Sequence, residues 1–178
     1  MNILVGGTQS NQIPAGYYKI VDALAENIKV HKDHLIYGGG SAGLVGKLGV
    51  ECLNQDEETI AVVPNCYKQN MKGLEAKNLI VTDTVLRRTS KLIKQADLAI
   101  FLPGGTGTLQ EFFCAIELKR GGEFDYPIVL VNDMGYYNAL LNQLDKALTE
   151  GFSTYELRNC FDVVNNQEEL IQYVAQKR

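Results

Sequence analysis

Residues 103–111 read PGGTGTLQE and follow the apolar run DLAIFL, so the chain leaves a strand through glycines and reaches a carboxylate. Glycine lets backbone N–H groups approach a ligand, and a helix N-terminus attracts an anion such as a phosphate. The stretch is therefore consistent with an anion-binding loop beside an acid, Glu111, with these loop candidates: Gly104, Gly105, Thr106, Gly107 and Thr108. The alternative is a capping box, in which Glu111 satisfies a backbone N–H beside Thr108. Spacing alone favours the cap.

A second glycine-rich loop, YGGGSAGLVG, begins at the end of the apolar run HLIY. Gly38, Gly40 and Gly43 match GxGxxG, but the next strand lacks the acidic residue at its tip that would hold a ribose hydroxyl of a dinucleotide. A P-loop is excluded, because the only Gly-Lys pair is followed by leucine. A phosphate contact at Gly39, Gly40 and Ser41 is the favoured interpretation, and a tight turn without a ligand is the alternative.

Two arginines, Arg87 and Arg88, lie in the helical segment TVLRRTSKLIKQA that precedes DLAIFL. Arg88 is about 12 Å back along the helix axis from the turn, and the strand rises about 20 Å from the same turn. One arginine side chain can therefore reach the 103–108 loop, and the other is expected on a solvated helix face. Gly7 and Thr8, which follow the run NILV, are additional site candidates.

The histidines of the chain favour neither a metal site nor a nucleophilic triad. His31 and His34 form HxxH at a helix-to-strand junction without other ligand types, so we expect surface histidines. Both lie at the amino-terminal side of their strand, away from the glycine loops, which argues against a Ser–His–Asp triad. No lysine has a recognisable setting for pyridoxal phosphate. The sequence therefore predicts no cofactor and no metal.

Seven short apolar runs alternate with segments of helical period, which is typical of right-handed βαβ crossovers. Several runs are apolar without alternation, as expected for strands covered on both faces. The pattern predicts one α/β domain over residues 1–178: a three-layer, Rossmann-like, doubly wound and mainly parallel sheet with helices on both faces. Ligands of such sheets bind at the carboxyl ends of the strands. The predicted strands are 2–5, 34–37, 59–63, 78–81, 97–102, 127–131 and 161–164, and the predicted helices are about 15–30, 42–54, 84–96, 107–120, 136–150 and 166–177.

The composition excludes some partners. The chain has 178 residues, of which 46% are hydrophobic and 21% charged, and its formal net charge of -4 gives no electrostatic footprint for nucleic acid. We expect no membrane span and no secretory signal, because no apolar stretch has the required length or setting. The four cysteines are widely spaced and are expected to be reduced thiols in a cytoplasmic protein.

Together, YGGGSAGLVG, the arginine helix and PGGTGTLQE resemble the LONELY GUY (LOG) family, long mislabelled as lysine decarboxylases. The resemblance extends over nearly the whole chain, including PIVLVNDMGYYNALL. It implies hydrolysis of a purine nucleoside 5′-monophosphate, with cytokinin-type N6-substituted purines included, to free base and ribose 5-phosphate. It further implies that Arg88 and Glu111 are catalytic, that the glycine loop at 104–108 holds the phosphate, and that the protein is a homodimer with active sites near the interface.

The chain departs from the family pattern at the arginine motif. Thr89 stands where the family has lysine, and Val85 and Leu86 stand where methionine and histidine are usual. These differences motivate an alternative from another class: a nucleotide-binding sensor or carrier that uses the same loops without turnover.

Overall fold

The computed structural model describes residues 1–54, 58–71 and 78–178. These residues form seven strands and six α-helices, so every predicted strand and helix is confirmed, with small shifts at the ends. The strands are β1 (Asn2–Gly6), β2 (His34–Tyr37), β3 (Ile60–Pro64), β4 (Asn78–Thr82), β5 (Leu98–Phe101), β6 (Ile128–Val131) and β7 (Asp162–Val164). The helices are α1 (Lys19–His31), α2 (Gly43–Leu53), α3 (Val85–Lys94), α4 (Thr106–Arg120), α5 (Asn138–Thr149) and α6 (Gln167–Gln176).

The seven strands form one parallel sheet in the order β4-β3-β2-β1-β5-β6-β7. Central strand β1 pairs with β2 on one side and with β5 on the other, and Ile3 is the partner of both Leu35 and Leu98. The chain winds outward from β1 in one direction and then returns to continue from β5 in the other. The strand order therefore reverses between β1 and β5, where a doubly wound sheet opens a crevice for ligands.

Both faces of the sheet are covered, which explains the apolar runs without alternation. Successive residues of β1 point to opposite faces: Ile3 and Val5 pack in a core with α1, α2 and α6, whereas Leu4 packs in a second core with α3 and α4. The three-layer architecture predicted from the sequence is confirmed. Among the described residues, no helix combines the length and apolar character needed to cross a bilayer.

The loops that follow β1 and β5 are held together at the point of strand reversal. The backbone N–H of Thr8 donates to the carbonyl oxygen of Pro103 at 3.1 Å, and the N–H of Leu102 donates to that of Gly6 at 2.8 Å. These bonds extend the pairing of the two central strands into their loops. They bring the loop after β1, which contains Gly7 and Thr8, beside PGGTGTLQE.

Candidate functional site

A cavity of about 500 Å³ opens at the carboxyl edge of the sheet, over the crevice between β1 and β5. The segments that follow four strands line it, together with one residue of α3. The lining residues are Gly7, Thr8, Gln9, Gly38, Gly39, Gly40, Ser41, Ala42, Val63, Pro64, Tyr67, Arg88, Gly105, Thr106, Gly107, Thr108 and Glu111. The structure thus brings both glycine loops, one arginine and the glutamate into one pocket.

Arg88 and Glu111 form an ion pair in the wall of this pocket. The Arg88 Nη1 atom contacts the Glu111 Oε1 atom, and the two side chains are only 13% and 10% exposed. Burial lowers the pKa of the Arg88 guanidinium from its usual range. Its Nε atom is buried and has no hydrogen-bond partner among the described residues. A largely buried guanidinium with its ionic partner therefore lines a cavity of ligand size.

The capping-box alternative for Glu111 is wrong. Helix α4 begins at Thr106 with Gly105 as its N-cap, and no side chain caps it. Thr108 consequently lies inside the first turn, where it cannot act as the N-cap, and the Glu111 carboxylate turns to Arg88. The N–H groups of the first turn have no intrahelical partner, as at every helix start, so they remain available to a ligand in the pocket.

The other glycine loop is tied to the loop after β1. The Gln9 Nε2 atom donates to the carbonyl oxygen of Gly39 at 2.8 Å, and the N–H of Gly43 donates to the Asn11 Oδ1 atom at 2.7 Å. The first N–H group of α2 therefore already has a partner. Of the two helix starts at the pocket, that of α4 is the better anion site.

Gly43 is required by this interlocked arrangement, which gives a first prediction. Its φ is +66°, and a Cβ there would overlap the carbonyl oxygen of Thr8 and lie 2.7 Å from the Cα of Gln9. We expect Gly43→Ala to lower the free energy of unfolding by about 2 kcal/mol or more, measured by urea denaturation. Gly107→Ala is the matched control, because a Cβ at Gly107 meets nothing within 4 Å. Equal losses in the two variants would contradict the explanation.

Two predicted site residues lie outside the lining of the pocket. Arg87 is exposed, and its Nη1 atom pairs with Asp83 Oδ2 at 2.7 Å, so it is the arginine on the solvated face. Gly104 does not line the pocket either, and its carbonyl oxygen accepts from the Tyr136 hydroxyl at 2.9 Å. A Cβ at Gly104 would overlap Thr108 Oγ1. This glycine therefore permits close packing beneath the helix start.

The sequence did not single out several residues of the lining. Val63 and Pro64 end β3, and Tyr67 follows them, so together they form an apolar wall of the pocket. Gln9 and Ala42 complete the two neighbouring loops. The only available signal was position, since residues after a parallel strand reach the same edge of the sheet as the glycine loops.

A partly buried hydrogen bond joins the helices that carry Arg88 and Glu111. Thr89, fully buried, donates from Oγ1 to the Gln110 Oε1 atom at 3.1 Å. We expect Thr89→Val to lower the free energy of unfolding by about 1 kcal/mol, because it leaves the Gln110 amide oxygen without its donor. Thr149→Val is the control, since its hydroxyl bonds Lys146 at an exposed site. Thermal and urea unfolding would measure both changes, and an unchanged stability of Thr89→Val would contradict the prediction.

Comparisons with known proteins give both a sequence match and a fold match. A family model described as "Possible lysine decarboxylase" matches residues 46–174. The chain is 30% identical over 171 residues to a cytokinin riboside 5′-monophosphate phosphoribohydrolase of Arabidopsis thaliana, covering 96% of this chain and 79% of that protein. It is 33% identical over 150 residues to a probable enzyme of the same name from Oryza sativa subsp. japonica, covering 84% of this chain and 62% of the rice protein.

Solved structures share the fold at lower sequence identity. The molybdenum cofactor carrier protein of Chlamydomonas reinhardtii superposes with a TM-score of 0.71 at 19% identity, over 99% of this chain and 96% of that chain. The molybdenum cofactor binding protein of Rippkaea orientalis gives a TM-score of 0.67 at 20% identity, over 98% and 94% of the two chains. At these identities the likeness shows a common architecture.

Proposed function

The chain belongs to the LOG family, and from its pocket we propose that it hydrolyses the N-glycosidic bond of a purine nucleoside 5′-monophosphate. The products are the free base and ribose 5-phosphate, and purines substituted at N6 are included among the substrates. The observation that carries the proposal is the Arg88–Glu111 ion pair in the wall of a cavity that also receives the uncapped start of α4.

In this proposal the phosphate binds at the start of α4. The N–H groups of residues 106–108 and the positive end of the helix dipole favour a dianion. The hydroxyls of Thr106 and Thr108 belong to the same turn and can donate to phosphate oxygens. The ribose then lies farther along the pocket, beside Glu111.

The reaction breaks the bond between C1′ and the base nitrogen and joins C1′ to a water oxygen. Positive charge develops on the ribose as that bond lengthens, and the carboxylate of Glu111 stabilises it and orients the water. The leaving base takes up the electron pair of the broken bond, and the proton that the attacking water gives up goes to the base. The guanidinium of Arg88 holds the substrate and stabilises the negative charge that forms on the base.

The base binds against the wall formed by Val63, Pro64 and Tyr67. An aromatic ring and two apolar side chains suit a flat heterocycle, and a cavity of about 500 Å³ has room for a nucleoside monophosphate. The curated relatives are named for cytokinin riboside 5′-monophosphates, which agrees with a purine at this wall.

We also propose that the protein works as a homodimer. Leu86 on α3 and Phe113 on α4 are exposed apolar side chains on the helices that carry the ion pair. A second copy would cover them. Light scattering should then give twice the mass of the chain, whereas the mass of one chain would refute the dimer.

The experiment for the proposed function is a screen of purine and pyrimidine nucleoside 5′-monophosphates, including an N6-isopentenyl adenosine derivative. Chromatography would quantify the released base, and ribose 5-phosphate would be measured in the same samples. Release of purine base with an equal amount of ribose 5-phosphate is the expected result. The absence of base release from every monophosphate would refute the proposal.

A second candidate function is ligand binding without turnover. One observation favours it: Glu111 Oε1 already has Arg88 as an ionic partner, so that the carboxylate must share its charge with the guanidinium. Calorimetry separates the two candidates. Tight binding of a nucleotide that the protein does not cleave supports a carrier or sensor, and catalytic release of its base refutes it.

A further inference from the structure

Two consecutive tyrosines hold the loop that leads into α4. The Tyr137 hydroxyl donates to the carbonyl oxygen of Leu102 at 2.8 Å, and the Tyr136 hydroxyl donates to that of Gly104 at 2.9 Å. Neither tyrosine lines the pocket. The two carbonyl oxygens are therefore engaged by groups outside the cavity.

The carbonyl between them is engaged as well. The oxygen of Pro103 accepts from the backbone N–H of Thr8 at 3.1 Å, so three successive carbonyl oxygens, those of residues 102–104, have donors. Residues 105–108, which follow directly, line the pocket. A carbonyl oxygen turned toward a phosphate would repel it, whereas an N–H group attracts it. The direction of these carbonyls thus decides whether the loop can receive an anion.

The turn that precedes the two tyrosines has an unusual backbone conformation. Met134 and Gly135 have φ values of +53° and +72°, in the left-handed region. The Asn132 side chain, buried at the end of β6, accepts from the N–H of Tyr137 at 2.7 Å and fixes the turn. A non-glycine residue in the left-handed region persists only where its surroundings hold it.

We propose that Tyr136 and Tyr137 are positioning residues for the phosphate: they hold the carbonyl oxygens of Leu102 and Gly104 outside the pocket, away from the anion. The fixed Gly104 carbonyl also sets the direction of the Gly105 N–H group, which belongs to the same planar peptide unit. The inference rests on the proposed function, because it assigns these tyrosines to the same phosphate site. Burial raises the pKa of Tyr137 further above the neutral range, where a tyrosine hydroxyl is protonated and can donate in any case.

The test replaces each tyrosine with phenylalanine, which removes one hydroxyl and keeps the ring. Calorimetry with ribose 5-phosphate should show a Kd about fivefold higher for Tyr136→Phe and for Tyr137→Phe, the size expected for one neutral hydrogen bond. The KM for a nucleoside 5′-monophosphate should rise by a similar factor, with kcat changed less. Tyr126→Phe is the matched control, since its hydroxyl donates to the carbonyl oxygen of Ile93 at 2.7 Å outside the pocket lining.

The outcomes separate this inference from the proposed function. An unchanged Kd in both phenylalanine variants, or an equal rise in Tyr126→Phe, would overturn the positioning role. Thermal unfolding of each variant confirms that the compared samples are folded. Because ribose 5-phosphate binding needs no turnover, a protein that binds it but cleaves no nucleotide would refute the hydrolase while the variants still decide the inference. A wild-type protein that does not bind ribose 5-phosphate would overturn the positioning role, whereas the hydrolase is decided by the screen for base release.

Discussion

Replacing Glu111 with glutamine is expected to slow base release from a nucleoside 5′-monophosphate by about a thousandfold, in the range measured for removal of a positioned acid or a charge stabiliser. Glutamine keeps the size and the polar character of the side chain but removes the negative charge. The charge matters most when the ribose becomes positive, so kcat should fall and the Kd for ribose 5-phosphate should stay within a few-fold of the wild-type value. Steady-state kinetics and calorimetry give the two numbers.

The control for this variant is Glu117→Gln on the same helix. Glu117 is exposed and pairs with Arg120 at 2.8 Å, outside the pocket lining. This variant should retain wild-type kcat and KM. Equal base release by Glu111→Gln and the wild type would remove Glu111 from the mechanism.

Replacing Arg88 with alanine is the second large prediction, and it affects both catalysis and stability. We expect kcat/KM to fall by about a hundredfold or more, because the guanidinium holds the substrate and balances the charge of the leaving base. The free energy of unfolding should fall by about 3 kcal/mol, since Glu111 then remains largely buried without its ionic partner. Kinetics measured well below the melting temperature of the variant, where the protein is fully folded, would separate the loss of activity from the loss of stability.

Two further variants sharpen the test of Arg88. Arg88→Lys keeps a positive charge but loses the planar fork, so it should recover part of the stability and less of the activity. Arg87→Ala is the matched control, because Arg87 is exposed and pairs only with Asp83 among the described contacts. If Arg87→Ala lost as much activity as Arg88→Ala, the assignment of the catalytic arginine would be wrong.

The fold was predictable because two kinds of sequence period are unusually clear in this chain. The segment IAVV of β3 and the run PIVLV have no polar residue on either face, and the structure covers β3 and β6 on both sides. The helix ends were less predictable. Residues 15–18 form a 3₁₀ segment before α1, although the apolar spacing alone extends the helix through them.

The site was predictable in outline, since strand order in a doubly wound sheet brings the glycine loops to one edge. Side-chain length alone did not distinguish Arg87 from Arg88. That choice depends on how α3 is rotated about its axis, which the distance estimate does not determine. The capping box failed for a similar reason: α4 begins two residues before Thr108, so that residue falls inside the helix. The N-cap of α4 is Gly105, three residues before Thr108.

The same rule places the segment after β3 at this edge, but it does not say which of its side chains line the pocket, and it does not identify the two tyrosines. Tyr67 belongs to no recognisable sequence motif, and only the packing of the segment after β3 brings it to the pocket. Tyr136 and Tyr137 follow β6, one strand away from the glycine loop that they hold. Their contribution depends on hydroxyl positions, which no periodicity encodes.

The most direct test of the central claim compares AMP with adenosine as substrates of the wild-type protein, with both products quantified. The account predicts adenine and ribose 5-phosphate in equal amounts from AMP, and far slower release from adenosine, which lacks the group that binds at the start of α4. Equal rates from the two substrates would contradict the phosphate site. No adenine from AMP or from any other purine monophosphate would contradict the hydrolase itself.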